Sequence, residues 1–421
     1  MPRGSNVPRV DVAYGTTFVK FASNAGVAPR AAPLYGQAME PGACGEEVLV
    51  QVGFFTECYR PIVNGVVASI DALRDGLIAR GVDVVTIAPR FPHFVDEGRA
   101  IVRIPSLPLP TQTAYRLCVP YLNGDDRRRV RALDVVHAHS PFVTGWMAAT
   151  YARRLRVPLV FTYHTRLDAY AHYAPFDRAT TERAMSGLTR RYANAADAVV
   201  VPTRAMETLL RELGVRAPIA VVPSAIDVER FASGRRSPLV RARLGAHDGE
   251  PLALVVSRLG LEKNVELAID ACAALPDLRL AIVGEGPHRA ALEERARQSG
   301  AAGRVRFVGT LARERLPDVY ASADAFVFPS TSDTQGLVLA EALAAGLPVV
   351  AAESDASRDV LTGAGMVAPP DASAFAAALR AALERGRDQS AVHLAFSRFT
   401  VESQTRRILE IYREVRAARA A

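Results

Sequence analysis

Cysteine is scarce in this chain of 421 residues. The four cysteines stand far apart and form no C-x-x-C pair: Cys44, Cys58, Cys118 and Cys272. Isolated cysteines argue against a disulfide framework and against a structural zinc site, because both need closely matched ligand spacings. The cysteine content therefore favours a protein of the reducing cytoplasm.

Long apolar runs are also lacking, since none reaches the roughly 18 residues of a membrane-spanning helix. The run that comes closest, 337–352, is interrupted by Glu341 and Pro348. Residues 1–46 are rich in Gly, Pro and Ala and lack the apolar core of a signal peptide, so we predict a disordered extension. The predicted location is cytoplasmic, and peripheral attachment to the inner face of the membrane is left open.

Acidic residues are outnumbered by basic ones, 44 to 51, which gives a net charge of +7. A basic protein favours anionic partners such as nucleotide phosphates or acidic lipid surfaces. Nucleic acid is not predicted, because no basic run is interleaved with aromatic residues and no recognition motif is present. The phosphate-binding P-loop and the G-x-S-x-G nucleophile elbow are also missing.

From about residue 47, short β-rich runs alternate with stretches of helical periodicity such as 69–80. The first series of predicted strands is 48–54, 83–88, 101–104, 134–138, 158–163, 197–201 and 219–222. The second series is 252–257, 278–283, 304–308, 324–328 and 347–351. Between them, residues 231–250 are rich in Arg, Gly and Ser and are predicted to be a linker.

This alternation predicts parallel sheets with right-handed crossovers. The predicted fold class is α/β, with two facing, doubly wound, Rossmann-like domains and a cleft between them. The predicted domains are 47–232 and 233–398, and the helix in 399–421 is expected to pack back on the first domain. Ligands bind at the carboxyl ends of such strands, so the cleft favours a reaction between two substrates with water excluded on closure.

The segment STSDTQGLVLAEALAAG at 330–346 is the most informative one. Glu341 lies in an otherwise apolar run, and an unpaired buried carboxylate is costly, so it needs either a buried cation or ligand hydroxyls. The backbone amides of Gly336, Leu337 and Val338 begin the predicted helix and form a ready anion site. We predict that Glu341 binds the ribose of a nucleotide whose diphosphate those amides hold. The alternative is a structural pair between Glu341 and an arginine.

Two further strings follow strands of the second series. In SRLGLEKN at 257–264, Arg258 and Lys263 are suited to neutralising a diphosphate, although two solvated surface cations are the alternative. In VGEGP at 283–287, Gly284 and Gly286 resemble part of a dinucleotide fingerprint, but the third glycine is missing. A tight turn between strand and helix explains that second string equally well.

The first half of the chain carries three comparable strings. TECYRPIVNGV at 56–66 ends in Asn64 and Gly65, where a glycine allows close approach of the backbone to a phosphate. VVHAHSPF at 135–142 places His137 and His139 at a strand end, and we expect these two side chains to face opposite sides. The third string is TYHTRLDAYAHY at 162–173. A metal site on these histidines is not favoured, because neither a carboxylate nor a third histidine stands at ligand spacing.

In order and spacing, these strings resemble the retaining GT-B glycosyltransferases of the large fourth family, over nearly all of 48–415. Asp333 and Glu341 are eight positions apart, as in the family's E-x7-E motif. SRLGLEKN resembles the family's GRL-x-x-EKN, and residues 59–66 resemble its Y-x-P-x-x-NGV loop. The family includes bacterial mannosyltransferases and diacylglycerol glucosyltransferases. The resemblance implies transfer of a hexose from UDP-glucose or GDP-mannose to a lipid or sugar acceptor, with retention and without a cofactor.

The resemblance also implies roles for individual residues. Arg258 and Lys263 would bind the donor phosphates and assist departure of the leaving group, while His139 and Asp333 would meet the donor hexose. Gly284 and Gly286 would lie near the nucleotide. The residues expected on the acceptor side are Tyr163, His164, Thr165 and His172. Two positions depart from the family pattern: Asp333 replaces the usual Glu, and Ala225 replaces the usual Gly in the PSAID string.

The sequence contains no D-x-D, the metal-chelating pair of the other major glycosyltransferase architecture. The diphosphate would then be neutralised by protein cations and helix amides, so we predict that the reaction needs no metal. Two other functions remain open at this point: a sugar-nucleotide epimerase on a similar scaffold, and a non-catalytic protein that binds nucleotide sugars. The donor base, the acceptor and the oligomeric state are also left open.

Overall fold

Two parallel β-sheets with helices packed around them form the part of the chain that the computed structural model describes. That part comprises residues 51–96, 100–109, 115–173 and 177–420, without the side chains of 171–173. The predicted extension 1–46 and the start of the predicted strand 48–54 lie outside the described residues.

Fifteen strands lie within the described residues. They are β1 (Gln51–Phe55), β2 (Asp83–Pro89), β3 (Ile101–Ile104), β4 (Ser106–Pro108), β5 (Arg116–Cys118), β6 (Val135–Ala138), β7 (Leu159–Thr162), β8 (Ala198–Val201), β9 (Ile219–Val221), β10 (Leu252–Val256), β11 (Arg279–Val283), β12 (Val305–Gly309), β13 (Ala325–Phe328), β14 (Val349–Ala352) and β15 (Met366–Ala368).

The same residues contain fifteen α-helices. They are α1 (Gly65–Ile78), α2 (Gly124–Arg131), α3 (Val143–Leu155), α4 (Arg178–Ala193), α5 (Arg204–Glu212), α6 (Val228–Ala232), α7 (Pro238–Arg243), α8 (Val265–Ala273), α9 (Arg289–Gln298), α10 (Leu316–Ser322), α11 (Leu337–Ala344), α12 (Asp355–Leu361), α13 (Ala372–Arg385), α14 (Gln389–Arg398) and α15 (Val401–Ala420). Short 3-10 turns cover Asp168–Tyr173, Leu261–Lys263 and Arg313–Arg315.

The first sheet has the order β3-β2-β1-β6-β7-β8-β9 and the second the order β12-β11-β10-β13-β14-β15. All pairs in both sheets are parallel. Every residue of β6, β7 and β8 is buried, as expected for strands covered on both faces, which read as continuous apolar runs. The predicted α/β class with two doubly wound sheets is confirmed.

Every strand predicted from the sequence is present, but three observed strands were missed. β4 and β5 form a small antiparallel hairpin outside both sheets, and β15 is the edge strand of the second sheet. Each of the three has only three residues, which is too short for a period-two pattern to stand out. The predicted linker 231–250 is also different, since it contains α7, whose Arg241 is buried against Asp324.

The chain crosses between the two sheets twice, and the two crossings lie side by side. Ile226, in the connection from the first sheet to the second, pairs with Thr400, in the connection that returns to the first sheet. After the second crossing, α15 packs against the first sheet, where Ile411 and Tyr412 share a core with Phe54 of β1. The exact domain boundaries at 232 and 398 remain predictions. None of the described helices combines the length and the apolar character needed to traverse a bilayer.

Candidate active site

Two loops at the carboxyl ends of neighbouring strands of the second sheet are tied together. The loop after β10 leads to Glu262, whose backbone carbonyl accepts a hydrogen bond from the Ser332 hydroxyl at 3.0 Å. Ser332 belongs to the loop after β13, here called the donor loop (residues 329–336). Because β10 and β13 are adjacent in the sheet, their terminal loops meet at one edge, as the sequence prediction requires.

Lys263 and Asp333, one from each of these loops, form an ion pair of 2.6 Å between Nζ and Oδ1. Burial alone would lower the pKa of Lys263, but Asp333 and Tyr170 outweigh it and raise that pKa to about 12. The other carboxylate oxygen, Oδ2 of Asp333, is buried and has no hydrogen-bond partner among the described residues. Asp333 therefore neutralises a cation with one oxygen and leaves the other one for a ligand.

Arg258 lies at the same edge and pairs with Glu262, with 3.0 Å between Nη1 and Oε1. The Arg258 side chain is 39% exposed, whereas that of Glu262 is 2% exposed. The carboxylate is thus part of the protein interior, while the guanidinium extends toward solvent. Both cations predicted to bind phosphate already carry a carboxylate partner, so they are held in place before any anion binds.

Glu341 lies on α11, one turn after the donor loop, and is 6% exposed. Its partner is the hydroxyl of Tyr320, which donates to Oε2 at 2.8 Å. Burial raises the pKa of Glu341 above its ordinary value, although the Tyr320 hydroxyl and the more distant Arg313 both act to lower it. Among the described residues no cation forms an ion pair with Glu341, so the alternative of a structural arginine pair is wrong.

The helix α11 begins at the end of the donor loop. Gly336 precedes it with a φ of 73°, in the left-handed region that favours glycine. The amides of Gly336, Leu337 and Val338 donate to no oxygen of the residues that the structure describes. Three adjacent amides at a helix start form the kind of position at which anions bind.

The glycine string after β11 has an explanation within the protein itself. A Cβ at Gly284 would lie 1.9 Å from the carbonyl oxygen of Ser257, and one at Gly286 would lie 2.2 Å from that of Leu259. Both glycines therefore let the turn pack against the loop after β10. Their expected closeness to a nucleotide remains a prediction.

In the first half of the chain, Asn64 and Gly65 mark the start of α1. The Asn64 side chain caps the helix by accepting from the amide of Val67 at 2.9 Å. A Cβ at Gly65 would meet only Leu337 Cδ1, at 3.7 Å. The start of α1 thus faces the start of α11, and the structure brings these two predicted donor-binding segments together.

Tyr115 provides a second link between the two halves. Burial raises the pKa of the Tyr115 phenol, while a hydrogen bond to Asn64 and the charge of Arg258 lower it. Tyr115 therefore lies close to both predicted donor-binding side chains.

His137 and His139 do not face opposite sides as expected. Their rings are stacked, with centroids 4.4 Å apart, because residues two apart on a strand share a face. His137 is held by Tyr412 of α15 and by Thr162, each at 2.6 Å. His139 is bonded through Nδ1 to Nε2 of His164 at 3.0 Å, and its own Nε2 is buried without a partner among the described residues.

The predicted acceptor-side residues do not lie together. Tyr163 is 2% exposed and packs in the core below the first sheet, because its side chain points away from the strand face that carries the histidines. His164 and Thr165 are half-buried at the strand end. His172 falls in the turn Asp168–Tyr173, and its side chain is outside the described residues.

The donor loop is bonded directly to the first half of the chain. The Thr334 hydroxyl donates to the carbonyl of His164 at 2.9 Å, and the Thr334 carbonyl accepts from Thr203 at 2.9 Å. The Gln335 amide exchanges two hydrogen bonds with the backbone of Ser224. Asp333, next to Thr334, is therefore held near His164 and His139 across the cleft.

Several residues of this site were missed by sequence reasoning. Glu57, just after β1, is half-buried and accepts from the backbone amide and the hydroxyl of Thr144 at the start of α3, both at 2.6 Å. Glu57 follows the buried strand β1, and this position could have identified it as a candidate site residue. Tyr320, Thr334 and Gln335 carried none, because their partners lie 21 to 170 positions away in the sequence.

Metal ligands are not grouped in this region. Among the described residues, no three His, Cys, Asp or Glu side chains are arranged so that they could hold a metal ion. The residues at the cleft instead provide cations, amides and paired carboxylates, which together suit a charged and hydroxyl-rich ligand.

Models of two protein families match the chain. Residues 63–230 match Glycosyltransferase Family 4, and residues 237–393 match Glycosyl transferases group 1. The chain is 30% identical to alpha-monoglucosyldiacylglycerol synthase of Streptococcus pneumoniae, over 72% of this chain and 71% of the relative. It is 34% identical to a GDP-mannose-dependent alpha-mannosyltransferase of Mycobacterium tuberculosis, over 74% of this chain and 82% of the relative.

Solved structures share the fold. Sucrose-phosphate synthase from Thermosynechococcus elongatus has a TM-score of 0.69 at 20% identity, covering 88% of this chain and all of that one. HepE of Anabaena in complex with UDP and glucose has a TM-score of 0.66 at 20% identity, covering 87% of this chain and all of that one. At such identities the likeness shows the fold alone.

Proposed function

The chain belongs to the group 1 glycosyltransferases with a family 4 amino-terminal half, and on that basis we propose that it transfers a glucose or mannose residue from a nucleotide-diphosphate sugar to a lipid or sugar acceptor. Relatives named as glucosyl- and mannosyltransferases favour this activity over an epimerase or a non-catalytic binding protein. The name of the mycobacterial relative supports GDP-mannose as the donor, and UDP-glucose remains the second donor that we propose.

The observation that carries the proposal is a pair of unsatisfied polar atoms at the cleft. Nε2 of His139 and Oδ2 of Asp333 are both buried and both lack a partner among the described residues. Leaving a buried polar atom unpaired costs about 1–3 kcal/mol, so such atoms are expected to be satisfied by a ligand. They belong to the two residues assigned to the hexose, and Thr334 and His164 connect them.

The rest of the donor has matching partners. Glu341 has one oxygen on Tyr320 and would accept from the ribose hydroxyls with the other. The diphosphate would lie against the free amides at the start of α11 and near Arg258 and Lys263. A nucleoside diphosphate carries two or three negative charges. Each cation already shares its charge with a carboxylate, so we propose that the three amides and the two cations act together in place of a metal.

We propose that transfer proceeds with retention of configuration by attack on the same face of the sugar. The bond between the anomeric carbon and the β-phosphate oxygen breaks, and the bond to the acceptor oxygen forms on the side that the phosphate leaves. The acceptor proton passes to the departing phosphate oxygen. Asp333 is poorly placed as a nucleophile in a two-carboxylate mechanism, since Lys263 holds its Oδ1 and no second acid of the described part of the chain is bonded to it.

The acceptor would enter from the first half of the chain, beside His164 and Thr165. A surface of the same half combines exposed apolar and basic side chains. Leu107, Leu117 and Tyr121 are about half exposed on and after the β4–β5 hairpin. The exposed arginines of α2 follow directly: Arg127, Arg128, Arg129 and Arg131. This combination suits an anionic membrane surface, where a lipid acceptor would be found.

Donor-transfer assays with radiolabelled UDP-glucose and GDP-mannose test the proposed function. Arg258→Ala and Lys263→Ala should each lower kcat/KM by at least about tenfold, because each removes a cation from the diphosphate. Arg295→Ala is the matched control, since Arg295 is an exposed arginine that also pairs with a carboxylate, Asp270. Wild-type rates in both cleft variants would defeat the assignment of the phosphate site.

Two finer claims need measurements of their own. Transfer should persist in EDTA if the cations and amides suffice for the diphosphate. The anomeric coupling in the NMR spectrum of the product should match that of the donor if configuration is retained. Loss of activity in EDTA that added Mg²⁺ restores, or an inverted product, would contradict the corresponding claim.

A further inference from the structure

His164 contacts both halves of the candidate site. Its ring nitrogen Nε2 lies 3.0 Å from Nδ1 of His139, and the two rings are nearly parallel, at 29° with centroids 5.2 Å apart. Its backbone carbonyl accepts the hydroxyl of Thr334 in the donor loop. The sequence resemblance places His164 on the acceptor side, but in the structure its ring is bonded to another site residue.

The contact between the two rings constrains where their protons lie. A neutral imidazole has one donor nitrogen and one acceptor nitrogen, so one ring must donate across this contact. Either both rings carry the proton on Nε2, or both carry it on Nδ1. The tautomer of His164 therefore decides whether the free Nε2 of His139 is a donor or an acceptor.

The first arrangement is favoured by intrinsic stability. The Nε2–H form is the more stable tautomer of a neutral histidine side chain, and in that arrangement both rings adopt it. His139 then presents an N–H to the cleft, while Asp333 presents the free acceptor Oδ2. A hexose hydroxyl, which both accepts and donates, can be satisfied by these two groups together.

We propose that His164 is a positioning residue that holds the ring of His139 and fixes its Nε2–H tautomer, so that His139 donates a hydrogen bond to the donor hexose. This inference rests on the proposed function for the identity of the ligand. Residues that orient a ligand-binding histidine through its other nitrogen are known to set both its tautomer and its angle.

The surroundings keep both rings neutral, which the argument requires. Burial lowers the pKa of His164 to about 4 and lowers that of His139 well below its ordinary value, the neighbouring histidines adding to the effect on His139. His137 stacks on His139 and is itself fixed by Tyr412 and Thr162. The ring of His139 is thus held on one face by His137 and at one edge by His164.

Two substitutions separate positioning from packing. In His164→Gln, the side-chain amide can place an N–H near the position of Nε2 and donate to His139. In His164→Met, the bulk is similar but no donor remains. We expect His164→Gln to keep kcat within about threefold of the wild type. In His164→Met, kcat should fall about tenfold, which corresponds to the loss of one hydrogen bond. Both variants should bind UDP and GDP like the wild type, because the nucleoside diphosphates lack the hexose.

The tautomer is measured directly by ¹⁵N NMR of histidine-labelled protein, which has only eight histidines. Comparison with His139→Gln assigns the His139 signals. We expect a protonated, pyrrole-like Nε2 and a bare Nδ1 in the wild type, and a changed or averaged pattern in His164→Met. A bare Nε2 in the wild type, or an unchanged His139 spectrum together with wild-type kcat in His164→Met, would overturn the inference.

The two proposals fail in different ways. The NMR measurement needs neither donor nor acceptor, so it decides the tautomer even if no hexose transfer is found. Absence of transfer from either nucleotide sugar would count against the proposed function. A purely structural role for His164 would change the melting temperature without separating the Gln variant from the Met variant in kcat, and that result too would overturn the inference.

Discussion

At the scale of single residues, the two carboxylates of the 330–346 segment have different partners. Asp333 faces a cation, Lys263, whereas Glu341 faces a neutral hydroxyl, Tyr320. An ion pair leaves little net charge for a ligand, but a hydroxyl donor leaves the carboxylate charge in place. Glu341 therefore meets ligand hydroxyls with a charge that no cation offsets, whereas Asp333 divides its oxygens, Oδ1 bonding Lys263 and Oδ2 remaining for a ligand hydroxyl.

Glu341→Gln tests this difference. The amide keeps the shape and can still accept from Tyr320, but it removes the charge. Hydrogen bonds to charged groups contribute about 1.5–3 kcal/mol, so we expect the donor Kd measured by calorimetry to rise by roughly 10- to 100-fold. The free energy of unfolding in urea should stay within about 1 kcal/mol of the wild type, because burial of the charged carboxylate does not itself stabilise the fold.

The control for Glu341→Gln is Tyr320→Phe. It leaves Oε2 of the buried carboxylate without its donor and should cost about 1–3 kcal/mol of stability. If Glu341→Gln bound the donor like the wild type, the assignment of ribose to Glu341 would be wrong.

Two glycine substitutions distinguish a glycine that leaves room for a ligand from one that the packing of the protein requires. Gly65→Ala adds a methyl group that meets only Leu337 at an ordinary contact distance, so stability should change by less than about 1 kcal/mol. If the donor phosphate lies against Gly65, its KM should nevertheless rise at least about fivefold. Unchanged KM in Gly65→Ala would show that the donor does not approach this backbone.

Gly284→Ala is expected to behave in the opposite way. Its φ of +133° and the Ser257 carbonyl, 1.9 Å from the added Cβ, should lower the free energy of unfolding by about 2 kcal/mol or more. Urea unfolding of the two variants side by side makes the comparison. Equal stabilities would contradict the packing role assigned to Gly284.

At the scale of elements, the carboxyl ends of β6 and β7 carry three stacked histidines, of which His137 and His139 are buried and His164 is half-buried. Their close packing shields all three rings from water, and burial lowers the pKa of His137 to about 3 and that of His164 to about 4. Two strand ends and α15 hold this cluster, since Tyr412 of α15 bonds His137. The last helix thereby contributes to the geometry of a site at the far end of the sheet.

These lowered pKa values predict a loss of stability in mild acid. The histidines are neutral in the folded protein but take up protons near pH 6.5 when unfolded, so the stabilisation is complete above pH 6.5 and is lost as the pH falls toward about 4. Each histidine contributes a slope of up to about 1.4 kcal/mol per pH unit. Urea unfolding at pH 7, 5.5 and 4.5 measures the total slope.

Two variants isolate the contribution of the cluster. His164→Gln removes one titrating ring. It should therefore reduce the slope by up to about 1.4 kcal/mol per pH unit, which is the contribution of one proton. His393→Gln, at an exposed histidine outside the cluster, is the matched substitution. The same slope in wild type and His164→Gln would mean that His164 is not kept neutral by the fold.

The elements themselves were largely predictable, because period and burial are local properties of a sequence. β6 and β8 are short buried runs that each follow an aspartate and are apolar apart from His137, and both were found within one residue of their observed ends. The start of α1 was placed four residues too late, because the Asn64–Gly65 pair was interpreted as a turn; Val67 already belongs to the buried series that continues at Ile70, and the Asn64 cap defines the start. α7 was missed since its six residues lie in a stretch rich in Arg, Gly and Ser.

At the scale of the whole molecule, the donor loop lies between the two sheets and is bonded to both. Thr334 and Gln335 connect it to His164, Thr203 and Ser224 of the first half. These hydrogen bonds between the two halves are made by the protein itself, so a donor bound at this loop would lie beside the histidine cluster. The same half of the chain carries the apolar and basic surface around α2.

Binding to vesicles tests that surface. Replacing Arg127, Arg129 and Arg131 together by Ala should weaken partitioning onto anionic vesicles by about 3 kcal/mol, roughly 100-fold, because each arginine contributes about 1 kcal/mol. Co-sedimentation with phosphatidylglycerol-containing vesicles measures the effect, and zwitterionic vesicles should bind neither protein.

The matched control removes the same charge elsewhere. Arg297, Arg385 and Arg407 are ion-paired arginines on α9, α13 and α15; the first two are exposed and Arg407 is half-buried. Their triple Ala variant should retain anionic binding to within the small effect of net charge. Equal losses in the two triple variants would show that binding depends on total charge and that α2 is not a docking surface.

The sequence alone determined the α/β class, the two series of strands and the strings that gather at the strand ends, because each depends on neighbouring residues. Only the tertiary structure decided which side chains meet. Tyr320 reaches Glu341, His164 reaches His139, and Thr334 reaches His164 from 170 positions away. A local pattern shows that a polar residue will be buried, but its partner depends on the packing of distant elements, and no period in the sequence carries that information.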